Sequence, residues 1–418
     1  MKRQAPDRTA YQPKPVEQVE VNEGKVKARI ILLILAVVIA IVAFGWVIFS
    51  RTHVNTGWRE IEVASDGTMN CSQDFQFNYY LGGSGMSAAA ELKAITLLYT
   101  EATEKAYNIF NAHELSPELN NLFQLNLNPN KPIKVDPALY AALETVDRLD
   151  SRYLFLAPMY SEYHSLFFCN DDWETAGYDP VQNPDIREYA AQVAAFAADP
   201  GQINIQLMGD DTVQLTVSES YTAFAKENGI DCYADFYWMK NAFIIDYLAN
   251  TMEDAGYNRG VISSYDGFSR CLGEEKLAYS HQLFDLQDGK AYRAATMDYS
   301  GGTNLVCLRS FPLNRQKELY YYRFKDGSFR TAHVDIADGI SKTALPTLAA
   351  TSGTKSCAEI LLRLLPFYAT ETWTGEVHKT LPAEGIYPVS ITDRVVCQSG
   401  TQVSLSDLYE GYRIQSAE

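Results

Sequence analysis

The sequence predicts an α+β domain carried behind one N-terminal transmembrane helix. Three observations predict it. Residues Ile30 to Phe49 run without a charge, IILLILAVVIAIVAFGWVIF. Beyond them, helical and strand-like periodicities mix without the regular strand–helix–strand alternation of a parallel sheet. The 418 residues, 47% hydrophobic and 21% charged, have ordinary globular composition and length for one large domain with appendages.

The apolar run matches a hydrocarbon core of about 30 Å at about 1.5 Å per helical residue. It is too long for the apolar region of a signal peptide, and Phe49-Ser50-Arg51-Thr52 offers no small-residue cut. Lys25, Lys27 and Arg29 crowd its N-terminal flank, so the tail is expected inside and the rest outside. Pro6, Pro13 and Pro15 in a polar context make residues 1–29 read as a disordered tail. Residues 50–57 are a linker.

Trp58 to Val63 and Phe75 to Leu81 alternate like strands, and Gly82-Gly83-Ser84-Gly85 closes the second. A helix follows from about Ser87, with Leu92, Ile95, Tyr99, Ala102, Ala106 and Ile109 on one face. Asp136-Pro137 starts another, running to about Leu149, as an acidic N-cap with proline at the first turn. Pro184-Asp185 precedes a third. Ile203–Leu207 and Thr212–Val217 read as a hairpin around Gly209-Asp210-Asp211. Tyr237 to Ala255 is helical, with Gly256 as its C-terminal stop, and Arg259 to Ser263 is a strand. Short strands fill Ala291 to Val334. A helix from about Ser356 to Leu365 is expected to stop at Pro366. Residues 386–418 read as a β-leaning C-terminal extension.

The formal charge of −17 leaves no basic footprint outside the tail, which excludes nucleic acid as a partner class. Cys71, Cys169, Cys232, Cys271, Cys307, Cys357 and Cys397 are widely spaced and form no C-x-x-C pair. An outside location permits disulfides, and buried unpaired thiols are the other reading; the spacing leaves both open. The six histidines have no metal-type spacing, and no G-x-S-x-G, H-E-x-x-H or Walker A sequence occurs. Gly83-x-Gly85-x-x-Ala88 matches a dinucleotide fingerprint after a strand. It lacks a following parallel strand and a defined acid, so a flexible connection is the better reading.

The richest pattern lies at Ile230 to Leu272, IDCYADFYWMKNAFIIDYLANTMEDAGYNRGVISSYDGFSRCL. It resembles the core of the FAD:protein FMN transferase family, formerly called thiamine-biosynthesis lipoproteins. That family reads Leu-Asp-Leu-Gly-Gly-x-x-Lys-Gly-Tyr-x-x-Asp, a helix ending in Gly, then Val-Asn-x-Gly-Gly-Asp. Placing Asp246 on the last Asp of the first motif puts Asp235 on its first Asp and Asn241 on its Lys. Gly256 ends the helix, and Ser264-Tyr265-Asp266 stands where Gly-Gly-Asp is expected. Flanking segments agree in order. Gly67-Thr68, Pro117 to Leu122, Phe155 to Pro158 and His333-Val334-Asp335 with Gly339 are similar to further family motifs. Ser356 to Arg363 resembles the family's metal segment, with Glu359 in an Asp place and Arg363 in a Thr place.

The resemblance covers about residues 58–370 and implies an outer domain, taken as 58–385, with the flavin-transferase fold. Family members bind FAD, use Mg²⁺ and move FMN onto a Thr hydroxyl, a phosphoryl transfer governed by positioning and charge. By resemblance Asp266 and His333 are catalytic, and Thr68, Asn241, Asp246, Ser264, Tyr265 and Arg363 hold the cofactor. Glu359 is the metal ligand. The departures weaken this site. Ser264 and Tyr265 bring side chains where bare glycine allows close approach. Asn241 removes a cation, and Glu359 lengthens a carboxylate that Mg²⁺ holds in a strict octahedron. Glu359 and Arg363, four apart on a helix, are expected to pair with each other. The expected function is a membrane-anchored, extracytoplasmic flavoprotein of this type with an impaired metal site. The alternatives are active Mg²⁺-dependent FMN transfer to a Thr of an outer-face redox protein, or a structural envelope protein.

Overall fold

The computed structural model describes residues 25–52, 54–64, 67–273, 277–313 and 319–417. The tail expected to be disordered lies almost wholly outside them. The chain forms two units, Met1–Asn55 and Thr56–Glu418. In the first, helix α1 (Val26–Thr52) contains one stretch, Val26–Trp46, long and apolar enough to cross a membrane.

The second unit is organised by a nine-stranded sheet whose strands lie side by side in chain order. They are β1 (Gly57–Ile61), β2 (Phe75–Leu81), β3 (Gly260–Ser264), β4 (Phe268–Cys271) and β5 (Asn304–Arg309). Beyond them lie β6 (Thr347–Ser352), β7 (Tyr387–Thr392), β8 (Val395–Gln398) and β9 (Arg413–Ser416). Neighbours pair antiparallel, except β8 and β9, which are parallel. The boundary placed at 385/386 falls at the edge of an integral strand: β7 pairs along β6, and β7, β8 and β9 all belong to this sheet.

The central strands are apolar on both faces because both are covered. Leu305 and Cys307 of β5 face a three-stranded sheet formed by Ala278–Gln287, Lys290–Ser300 and Ser404–Ser406, where Leu283, Ala295 and Met297 complete a buried cluster. Val306 and Leu308 alternate to the other face, which helices cover. These are α2 (Ala88–Ile109), α6 (Lys240–Asp254) and α7 (Cys357–Tyr368). Around them stand α3 (Pro137–Arg148), α4 (Ala157–Phe167) and the short α5 (Asp172–Thr175). A small sheet around the hairpin Ile203–Gly209/Thr212–Val217 completes this side.

Several expected details hold. Ser87 caps α2 by accepting from Ala90 N, and Ile95, Tyr99, Ala102, Ala106 and Ile109 are its buried stripe. Asp136 caps α3, and Gly256 ends α6 at φ +85°. Pro366 does not stop α7, which continues to Tyr368. A proline in the last turn costs only the bond to the Leu362 carbonyl, and Ala369 N still closes onto Leu365 O at 2.8 Å. Cys71, Cys232, Cys271 and Cys357 are buried free thiols, in line with the buried-thiol reading, while Cys169 and Cys397 are free and half-buried.

The glycine-rich loop after β2 is not a phosphate cradle. Gly82 N donates to the buried Glu91 carboxylate at 2.5 Å, and a Cβ on Gly83 would lie 2.4 Å from the Arg259 guanidinium. The α2 N-terminus already holds an acid of its own.

Candidate functional site

The turn between β3 and β4 sets the site. Gly267 has φ +108°, and a Cβ there would lie 2.1 Å from the Cys307 carbonyl oxygen. Only glycine lets this turn press against β5, where Cys307 N donates to Gly267 O at 2.8 Å. That contact fixes Asp266, and Tyr265 N bonds Asp74 O at 3.2 Å.

Asp266 faces the first turn of α6. Its Oδ2 accepts from Asn241 Nδ2 at 3.0 Å, while Oδ1 is buried and without a protein partner. Burial pushes its carboxyl up to about 6, and the nearby Asp74 charge adds to this; bonds from Ser264 and Asn241 oppose it. His333 stands across the cleft between two rings, edge-on to Trp238 at 4.6 Å and to Tyr368 at 5.0 Å. Burial, and then the Arg309 charge, push its imidazole down to about 3, so it is neutral at ordinary pH. Asp74, Tyr265, Arg309, Phe311 and Tyr320 complete the walls.

Among the described residues, Asn241 Oδ1, Asp266 Oδ1, Trp238 Nε1 and His333 Nδ1 lie on this cleft buried without a hydrogen-bond partner. Each such group costs about 1–3 kcal/mol if nothing binds it. Their convergence from separate chain segments is the mark of a site for a flat, polar-edged ligand. The cleft is narrow, about 70 Å³. Asp74, Leu319 and Tyr320 also wall a wider cavity of about 540 Å³. That cavity holds Lys240 and the His113–Asp235 pair, whose Nε2 and Oδ2 lie 3.2 Å apart.

The structure thus brings together Asp266, His333, Asn241 and Tyr265 of the residues expected from sequence. The others stand elsewhere. Ser264 does not line the cleft but supports it, bonding the Asp266 carboxylate while its Oγ accepts from Phe268 N at 3.0 Å. Thr68 does not line the cleft; its carbonyl accepts from Asn70 Nδ2 at 3.2 Å. Asp246 caps α7 by accepting from Cys357 N at 3.0 Å and Ala358 N at 2.9 Å, and pairs with Arg270 at 2.8 Å. Its oxygens are taken, so its place is structural.

Glu359 and Arg363 do not pair with each other, contrary to expectation. Glu359 Oε1 lies 2.9 Å from Arg148 Nη2 and 3.6 Å from Lys355 Nζ, and Oε2 accepts from Ser356 N at 3.1 Å. This capping box and its cations outweigh burial and hold the carboxyl below the usual range. Arg363 turns to Glu384 at 2.9 Å. A divalent cation at Glu359 would have to displace two protein cations and a backbone donor. Among the described residues no three His, Cys, Asp or Glu side chains form a metal-holding group. The donor set does not fit Mg²⁺.

Sequence reasoning missed Trp238, Asp74, Arg309 and Tyr320. Trp238 was in view, three residues before Asn241. The others come from a turn, a strand end and the approach to a distant hairpin, with no local signal.

Structural comparison places the architecture. The fold is similar to that of the ApbE protein of Thermotoga maritima, with a TM-score of 0.52 at 12% identity, covering 84% of this chain and 97% of that one. It is also similar to the flavin transferase ApbE of Vibrio cholerae, with a TM-score of 0.53 at 10% identity, covering 86% and 100%. No family model and no curated protein matches the chain. The chain has the fold of the ApbE flavin transferases, as the order of its motifs led us to expect.

Proposed function

We propose that this chain is a membrane-anchored, outward-facing flavin-nucleotide-binding protein that keeps the transferase fold without Mg²⁺-dependent transfer. One observation carries the reading. Asn241 Oδ1, Asp266 Oδ1, Trp238 Nε1 and His333 Nδ1 converge on one aromatic-walled cleft, buried and without a partner among the described residues. An isoalloxazine edge alternates acceptor and donor atoms and suits such a mixed set. Asn241 and Asp266 would take its N–H, Trp238 would donate to a ring oxygen, and Tyr265 and Tyr320 would flank the ring. The nucleotide tail would run into the wider cavity, where Lys240 and His113 offer positive charge. Bound flavin would supply redox chemistry, or FMN itself where transfer occurs.

The metal side points away from transfer. Phosphoryl transfer needs charge neutralised at the phosphate. Here the acid at the metal position is held by Arg148, Lys355 and its own helix cap.

The test uses the full chain in detergent micelles, titrated with riboflavin, FMN and FAD by flavin fluorescence. We expect saturable binding, and a loss of about tenfold or more for Asn241→Ala, as for a buried hydrogen bond. No transfer to a Thr-containing acceptor is expected with Mg²⁺ present. Absence of any flavin binding would favour a structural envelope role; robust Mg²⁺-dependent transfer would favour an active transferase serving an outer-face redox protein. The anchored, outward-facing reading rests on the length and apolarity of α1 and on its basic flank. Protease added to intact protoplasts should digest residues 58–418, and their full protection would refute the topology.

A further inference from the structure

A second feature lies outside the cleft. Between Glu162 and Asp185 the chain carries six carboxylates and no lysine or arginine. Four large apolar side chains of this stretch are exposed: Phe168 by 65%, Trp173 by 87%, Tyr178 by 37% and Val181 by 42%.

The stretch is firmly tied. Asp171 caps α5 by accepting from Trp173 N at 3.0 Å and Glu174 N at 2.9 Å. Asn170 N donates to Glu174 Oε2 at 2.8 Å. Asp172 accepts from Tyr322 OH at 3.0 Å and from Lys325 N at 3.1 Å, and the buried Asp179 pairs with Arg330 at 3.1 Å. His164 packs against the Phe168 ring at 4.8 Å. Trp173 is therefore presented by ordered backbone with no protein surface to cover it. Among the described residues no Lys or Arg side chain forms an ion pair with Glu162, Asp171, Asp172, Glu174 or Asp185.

We propose that this Phe168–Trp173 patch docks a partner polypeptide segment that combines lysine or arginine with aliphatic side chains. A preformed tryptophan contributes contact area without an ordering cost on binding, and tryptophan is favoured at binding hot spots. Arg187 lies against the stretch, donating to Pro180 O and Val181 O, but forms no ion pair with its carboxylates. These carboxylates select a cationic segment by complementarity. They count against the other occupants. A bilayer surface of anionic lipid repels them. A second copy, docking patch on patch, would set like charges face to face. Phe168 also lines the wider cavity beside the cleft, so the docked segment would sit at its mouth. The proposal stands apart from the flavin reading.

The probe is a fluorescein-labelled peptide of alternating lysine and leucine, read by anisotropy against the full chain in neutral detergent micelles. The control peptide replaces lysine with glutamate. We expect the lysine peptide to bind at least about tenfold tighter than the control, and Trp173→Ser to weaken it by a similar factor, as for a hot-spot anchor. Met208→Ser, at an exposed hairpin end elsewhere, should leave it unchanged. Both substitutions lie on the surface, and unchanged melting curves confirm folding. Lysine-peptide binding that survives Trp173→Ser overturns the proposal. So does Trp173-dependent self-association in sedimentation, or Trp173-dependent flotation with phosphatidylglycerol vesicles.

Discussion

Asp266 is a carboxyl held where its charge is disfavoured. Its folded value of about 6 lies above the ordinary 3.8, so the folded state holds the proton more tightly than the unfolded chain does. Its contribution is favourable below the unfolded value and is lost as pH rises through about 6. Asp266→Asn keeps the shape and removes that penalty. We expect the variant to be stabilised by about 1–2 kcal/mol at neutral pH and by little near pH 4. Urea midpoints at both pH values check this, and an equal effect at both would refute the shifted titration. The same variant should bind flavin more weakly, since the unpartnered Oδ1 then loses its charge. Asp266, Asn241, Tyr265 and His333 were legible because each stands in a short ordered motif. Glu359 was misjudged for a reason of distance. Its neighbour Arg363 is one turn away, yet its actual partner Arg148 is 211 residues distant in sequence, and no local pattern carries that information.

The helix that starts at Cys357 separates two acids that sequence treated alike as site residues. Asp246 accepts two buried backbone bonds at its N-terminus and a part-buried arginine bond. Asp246→Ala strands the Cys357 and Ala358 N–H groups and leaves Arg270 with Glu253 at 3.5 Å, and should cost about 2–4 kcal/mol. Glu359 pairs with an Arg148 side chain that is half exposed, so Glu359→Gln should cost about 1 kcal/mol or less. That variant should leave flavin affinity and the response to Mg²⁺ unchanged. A measurable loss of Mg²⁺-dependent binding in Glu359→Gln would restore it as a metal ligand. On α6, Leu248 is fully buried in the apolar stripe, and Leu248→Ala should cost about 2–5 kcal/mol through the cavity it leaves. An unchanged melting temperature would mean the helix is misplaced. Long stripes and capped starts were readable because helix period and cap chemistry are local. The hairpin Ala278–Ser300 began earlier than expected because its first strand opens on exposed and half-buried Ala278, Tyr279, Ser280, His281 and Gln282, with no apolar alternation before Leu283. The helix Glu219–Asn228 has only two buried side chains and left too weak a stripe to read.

At the scale of the whole molecule, the sheet is the least legible level and the cleft inherits that. Asp74, Trp238, Arg309 and His333 meet only because β2, β3, β4 and β5 lie side by side, which depends on long-range pairing. The same long-range packing buries histidines far apart in the chain, and this yields a property of the entire fold. Burial pushes His281 and His378 down to about 4 and His333 down to about 3. An unfolded chain protonates these rings near pH 6.5. As pH falls below that value, unfolding takes up protons that the folded state refuses, so stability drops on acidification. Asp266 acts in the opposite sense between about 4 and 6. Glu162, raised by burial, and His113, raised by its bond to Asp235, also act in the opposite sense, while His164, lowered by burial, adds to the drop. The net expectation is a falling urea midpoint from pH 7 to pH 5, at up to about 1.4 kcal/mol per pH unit for each uncompensated histidine. His378 isolates the effect because it lies outside the cleft, its ring nitrogens 2.7 Å from Ser399 Oγ and 2.8 Å from Ser390 Oγ. His378→Asn cannot charge in either state. It should lower stability at pH 7 through lost bonds, yet flatten the pH dependence by about one proton. Parallel wild-type and variant curves across this range would show that His378 takes up its proton without unfolding.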